Sequence, residues 1–313
     1  MKLVSLTRVK IDGDVIEEFV RHTARYVDEL VIVDNASPDA ARQTLLDLQA
    51  EGLPITLLED DFIEMRLDTI ETYAREVFAR SNPDYLLPLD ADEFLRAESR
   101  EALEAKLTAL PSPGYAKVCW VTYVPTKNED RSEERILARM RYHLAREIWP
   151  TEKVFLPRHF GETTDVKLIP GAHGVLVGDG TQFPATMLAD VTLAHFPVRS
   201  LTQIQSKVLL GWSAALAAGY DLVPGYDDKS GMGIQWRKLY EKLRAGVDWS
   251  EDEFYRAAAN YFGDAAADIP ELIYDPLIPV ERRHTPKERP VLSIAVDFAR
   301  QLARAHAKLT KRP

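Results

Sequence analysis

The feature that most constrains this chain is the alternation in its first ninety residues. Short apolar, β-branched runs are separated by stretches with helical spacing. Lys2–Thr7 reads as a buried strand, and Ile16, Phe19, Val20 and Thr23 mark a helix within residues 14–29. Glu29–Val33 is a second strand running into Asp34. In the stretch from Asn35 to Gly52, Ser37 is the expected N-cap, Pro38 the first helical residue and Gly52 the stop. Pro54–Leu58 is a third strand, residues 64–80 a helix, and Tyr85–Leu89 a fourth strand running into Asp90. Strands alternating with helices predict an α/β fold with a mostly parallel central sheet flanked by helices. Ligands of such sheets sit beyond the carboxyl ends of the strands, where Asp34 and Asp90 lie.

Charge and cysteine content narrow the function. The net charge of −10 is uneven: residues 1–120 hold 13 Lys/Arg against 24 Asp/Glu, and the remaining 26 and 25 nearly cancel. An acidic front half argues against nucleic acid as the partner and suits a divalent cation that binds a phosphorylated ligand. The single cysteine, Cys119, excludes an intrachain disulfide and a cysteine zinc site, and fits a reducing, cytoplasmic setting. Arg8 and Lys10 interrupt the N-terminus before a secretory signal could form. No Gly-x-Gly-x-x-Gly or P-loop occurs.

The densest chemistry is Leu89-Asp90-Ala91-Asp92-Glu93-Phe94. On an extended backbone Asp90 and Asp92 would share one face, roughly 7 Å apart. Three carboxylates in four residues repel one another, and a hard cation such as Mg²⁺ or Mn²⁺ offsets that repulsion. Together with Val33-Asp34-Asn35-Ala36-Ser37-Pro38-Asp39 and His195-Phe196-Pro197-Val198-Arg199-Ser200, followed by Lys207, the chain resembles glycosyltransferases of the GT-A fold, family-2-like, over roughly residues 1–245.

That resemblance implies a metal-dependent, inverting enzyme. It would move a sugar from a nucleotide-sugar donor, UDP-linked by expectation, to a saccharide or lipid-linked hydroxyl acceptor. It implies that Asp34 and Arg66 contact the nucleoside, that Asp90 faces ribose and metal, that Asp92 and His195 ligate Mn²⁺ or Mg²⁺, and that Lys207 neutralises diphosphate. The sequence departs from the pattern at Ile11-Asp12, where related chains carry Asn-Glu, and Gln235-Trp236-Arg237 does not match the Gln-x-x-Arg-Trp of processive members. The acceptor base is expected between the metal motif and His195. Glu152, at the start of a strand, is the first choice and His173 the second, with Asp165 and Asp179 behind them.

Residues 1–200 are expected to form the nucleotide-sugar and metal-binding core, and 201–313 a helical acceptor-side and C-terminal extension. The loop Gly225–Gly233 could order over a donor. Residues 290–313 pattern as an amphipathic helix through Ala295, Phe298, Leu302, Ala305 and Leu309. From Lys287 onward seven basic residues face two acidic ones. Such a helix can lie on an anionic membrane at the inner face, or pack on the protein or a second subunit. Two alternatives stand beside the transferase. One is a phosphotransferase of the Asp-x-Asp-x-Thr type, which Phe94 in the fifth position disfavours. The other is an inactive nucleotide-binding scaffold.

Overall fold

A computed structural model describes residues 1–62, 66, 68–112, 114–178, 184–219, 234–244, 249–264, 267–284 and 289–310. The front half alternates as the sequence predicts. In order come β1 (Leu3–Val9), α1 (Ile16–Thr23), β2 (Glu29–Asp34), α2 (Ala41–Ala50), β3 (Ile55–Glu59), α3 (Thr69–Ser81) and β4 (Tyr85–Pro88). The middle of the chain supplies β5 (Glu93–Arg96), α4 (Arg100–Thr108), β6 (Tyr115–Thr122), α5 (Ile136–Arg139), β7 (Tyr142–Leu144), β8 (Glu152–Pro157) and α6 (Arg158–Glu162). It continues with β9 (Val166–Leu168), β10 (Val175–Val177) and β11 (Ala185–His195). The last part is largely helical: α7 (Leu201–Ala217), α8 (Ile234–Arg244), α9 (Glu251–Ala259), the short strand β12 (Leu272–Tyr274), and α10 (Val291–Thr310).

Eight strands form one sheet in the order β3-β2-β1-β4-β8-β6-β11-β5. The first four are parallel, β8 runs antiparallel to both its neighbours, β11 is parallel to β6, and β5 closes the edge antiparallel to β11. The inner strands are apolar on both faces because helices cover both, as the near-continuous burial of Leu3–Val9 and Leu30–Asp34 shows. One cluster, with Phe19, Leu45, Phe94 and Phe196, fills the α1/α2 side, and a second, with Val77, Phe78, Leu156 and Phe160, fills the α3 side.

Two local expectations change. Helix α2 starts at Ala41, so Ser37 and Pro38 do not cap it. Asp39 does that work from outside, its Oδ1 accepting from Ala41 N at 3.0 Å and its Oδ2 from Gly13 N at 2.8 Å. Gly52, at φ +93°, ends the helix as expected. The acidic motif is not extended strand: β4 stops at Pro88, and Glu93 N donating to Asp90 O at 3.0 Å closes a turn.

The C-terminal part packs onto the rest. Val280 is buried in the first cluster, and Ile294 and Phe298 of α10 are buried beside Leu210 of α7 and Ile11. The outward side of α10 shows Leu292 at 81% and Val296 at 50% exposure. Among the described residues no helix is long and apolar enough to cross a membrane.

Candidate active site

The turn after β4 is pinned from two sides. Glu93 opens β5 and pairs in register with His195 at the end of β11, while Phe196 N donates to Asp92 O at 2.8 Å. This pairing carries the sequence-distant His195 to the acidic turn: its Nε2 lies 3.9 Å from Asp92 Oδ1. The chain then turns through Pro197–Ser200 into α7. Ser200 caps the helix, its Oγ accepting from Gln203 N at 3.0 Å, and Lys207 in the second turn reaches Asp92 Oδ2 at 2.8 Å.

Asp92 is 4% exposed and faces Lys207, the Arg199 guanidinium at 3.6 Å and His195. Burial opposes its ionisation, but the Lys207 and Arg199 cations outweigh burial and hold its carboxyl far below the usual carboxylate range. Arg199 is fully buried, with Nε 2.6 Å from Asp14 Oδ2 and Nη2 3.5 Å from Asp12 Oδ1. Burial pushes the Asp12 carboxyl up, against the pull of Arg199. Asp90 is more open, its side chain 54% exposed, and its Oδ2 accepts from Lys153 Nζ at 2.8 Å. Lys153 is buried and also lies 3.3 Å from Glu93 Oε1; the two carboxylates overcome burial and keep it protonated. Burial pushes His195 down to about 4, so it is neutral near pH 7. Its ring stacks on Trp120, with centroids 4.2 Å apart, and Phe262 lies beyond.

Of these groups Asp12, Asp90, Asp92, His195, Lys207, Trp120 and Phe262 line a cavity of about 410 Å³. Arg8, Lys10, Asp12 and Asn35 stand at the ends of β1 and β2; Arg66, Thr69 and Ile70 lie at the start of α3; Asp90 and Asp92 form the floor. Trp120, His195 and Phe262 stand opposite, and α7 contributes Lys207, Leu210 and Gly211. Gly211 matters sterically: a Cβ there would lie 2.5 Å from the Trp236 ring, which forms part of the wall.

Of the residues expected from sequence, the structure brings Asp90, Asp92, His195, Lys207 and Arg66 to one cavity. Asp34 sits behind it, accepting from Ser37 N at 2.9 Å and from Arg42 at 3.1 Å, while its neighbour Asn35 is the one in the wall. Glu152 is not brought to the cavity. Neighbours on a strand face opposite sides, so with Lys153 inward Glu152 faces outward and accepts from Lys117 at 2.8 Å. His173 stands edge-on to Trp120 at 5.5 Å. Asp165 belongs to the β9–β10 hairpin, where its O accepts from Gly178 N. Asp179 and the loop Gly225–Gly233 lie outside the described residues. Sequence reasoning assigned no role to Lys153, Arg199, Lys10 or Asp14. Arg199 stood inside the quoted His195–Ser200 motif, and Lys153 was the other half of an inward/outward choice.

No family model matches the chain, and no curated protein matches it. Among solved structures it is similar to TarS 1–349 of S. aureus, at 13% identity and TM-score 0.36, over 84% of this chain and 80% of that one. It is also similar to the mannosyltransferase PcManGT from Pyrobaculum calidifontis in complex with GDP-Man and Mn²⁺, at 16% identity and TM-score 0.38, over 83% and 73%. A third is mannose-1-phosphate geranyltransferase from Thermus thermophilus, at 14% and 0.30, over 82% and 68%. None of these likenesses lends a residue role to this chain.

Among the described residues no three His, Cys, Asp or Glu side chains gather to hold a metal by themselves. Asp90 and Asp92 each give one oxygen to a lysine and keep the other, and the neutral His195 stands beside the free oxygen of Asp92. That donor set fits a hard cation that takes one or two protein carboxylates and fills its shell with phosphate and water.

Proposed function

We propose that the protein is a glycosyltransferase that takes a nucleotide-sugar donor and passes the sugar to a hydroxyl acceptor. The observation that carries this is the floor of the cavity: two carboxylates at the carboxyl end of a parallel strand, interleaved with Lys207, Arg199 and Lys153. A site for a purely cationic ligand would not place three cations there, two of them buried, and a site for a bare anion would not place the carboxylates. A diphosphate with a divalent cation suits both. Asp90 and Asp92, with His195, would hold the metal, which supplies positive charge to the leaving diphosphate when bound. Lys207 is positioned to meet the same developing charge. The nucleoside lies, in this reading, between Lys10, Asn35 and Arg66. The stacked Trp120, His195 and Phe262 offer an apolar face to the sugar.

For the acceptor proton this reading turns to His173, which stands against Trp120 of the cavity wall, because Glu152 faces outward. Burial lowers the pKa of His173, and its Nδ1 lies 2.9 Å from Glu152 O. A carbonyl only accepts, so Nδ1 carries the hydrogen and Nε2 keeps the lone pair a base needs. Inversion, a UDP-linked donor, a saccharide or lipid-linked acceptor and a peripheral inner-membrane location through α10 complete the proposal. The test is nucleoside diphosphate release from a panel of nucleotide sugars with Mn²⁺ or Mg²⁺. Turnover with one donor is expected, and His173→Gln should lower kcat about a hundredfold with donor KM unchanged. No release from any donor would favour the inactive scaffold.

Lys10 adds a pH test. Burial and the nearby Arg8 push its pKa down to about 8, and its Nζ donates to Asn35 Oδ1 at 2.8 Å. Its charge is present below that value and lost above it. Donor affinity should therefore hold up to about pH 8 and fall about tenfold beyond it. Lys10→Arg, which stays charged, should flatten the titration curve.

A further inference from the structure

A second cavity, of about 230 Å³, lies behind the first, with Ile11 as a shared wall. It is lined where α1, α2 and α7 begin, by Gly13 and Asp14, by Asp39, and by Thr202 and Ser206. Helix starts invite anions, but here they are already answered. Asp39 accepts from Gly13 N and Ala41 N, and Ser200 Oγ from Gln203 N. The three arginines in the wall are answered too: Arg139 lies 3.3 Å from Glu129, Arg282 3.5 Å from Glu18, and Arg289 2.6 Å from Asp297. The lining therefore has many donors and acceptors and little free charge. Two atoms of this lining have no hydrogen-bond partner among the described residues: Ser206 Oγ, on a residue only 3% exposed, and Arg139 Nε. Ile11, Ile136 and Ile294 add apolar surface. The volume is below the range of about 300–1,000 Å³ used by drug-sized ligands.

We infer that this cavity is a second ligand site, for one uncharged sugar ring. Balanced hydroxyl, carboxylate and guanidinium groups hydrogen-bond sugar hydroxyls, the isoleucines meet the ring's C–H faces, and Ser206 gains the partner it lacks. The site touches the first through one buried link. Asp14, in its wall, holds Arg199, and Arg199 reaches Asp92.

The experiment is saturation-transfer NMR on the full chain with free glucose, galactose, mannose and N-acetylglucosamine. At least one sugar should receive transfer. Ser206→Leu, which fills the cavity, and Thr202→Tyr, which narrows it from a partly exposed position, should each weaken that sugar about tenfold. Thr69→Arg, in the wall of the other cavity, should leave it unchanged. If Ser206→Leu fails to fold, Thr202→Tyr decides. No transfer from any sugar, transfer that survives the folded variants of the second cavity, or transfer lost in Thr69→Arg overturns the assignment. None of these outcomes depends on nucleotide binding, so this inference and the transferase reading fail separately.

Discussion

Replacing Asp92 by Asn is expected to lower sugar transfer about a thousandfold while the protein stays folded. The carboxylate sits where Lys207, Arg199 and His195 converge, and it is the better buried of the two carboxylates expected at the metal. The amide keeps the shape and loses the charge. Without that charge Lys207 has no anionic partner at 2.8 Å and the cation loses a ligand, so the diphosphate is held less well as it leaves. Stability should fall by about 1–3 kcal/mol, the cost of leaving a buried charged donor poorly matched. Steady-state kinetics and a melting curve on the same sample separate the two effects. Activity within about tenfold of wild type would remove Asp92 from the chemistry.

Arg199→Met is expected to be the most destabilising single change near the site. The guanidinium is fully buried and answers Asp14, Asp12 and Asp92 together, and it also donates to Phe196 O at 3.1 Å. Removing one partner of a buried ionic cluster costs about 3–5 kcal/mol, because the remaining charges stay buried without compensation. For a chain of this size the melting temperature should drop by on the order of 10 °C. Arg199→Lys should rescue little, since an ammonium cannot span Asp14 with two parallel hydrogen bonds. Adding Asp14→Asn to Arg199→Met should restore part of the loss, and the double-mutant cycle measures the coupling. A melting temperature unchanged by Arg199→Met would show that the cluster is not held as described.

Much of the architecture was legible because the front half obeys simple periods. Val31, Ile32 and Val33 could only be a buried strand, and Asp90 after β4 fell at the ligand edge by topology, while at the end of β2 it is Asn35 and not Asp34 that reaches the cavity. What the periods could not settle was direction and local geometry. Glu152 and Lys153 are adjacent on β8, and alternation says that one faces the site without saying which. The acidic motif looked like extended strand, yet its turn is fixed by Glu93, whose carboxylate accepts from Asp90 N at 2.9 Å. Ser37-Pro38 made a plausible helix start, but Asp39 gains two backbone donors by capping α2 and the Gly13 loop together. The second cavity was not legible, although Asp39 and Ser200 stood in the quoted motifs, because residues from Ile11 to Ile294 meet there only in the folded chain.

The most direct test of the central claim is calorimetric titration of the wild-type protein with nucleoside diphosphates, with Mn²⁺ and then with EDTA. The site described here predicts that one nucleotide binds with Mn²⁺, that chelation weakens it about tenfold or more, and that Asp92→Asn abolishes the metal-dependent part. Absence of binding by every nucleotide, or binding indifferent to both Mn²⁺ and Asp92, would contradict it.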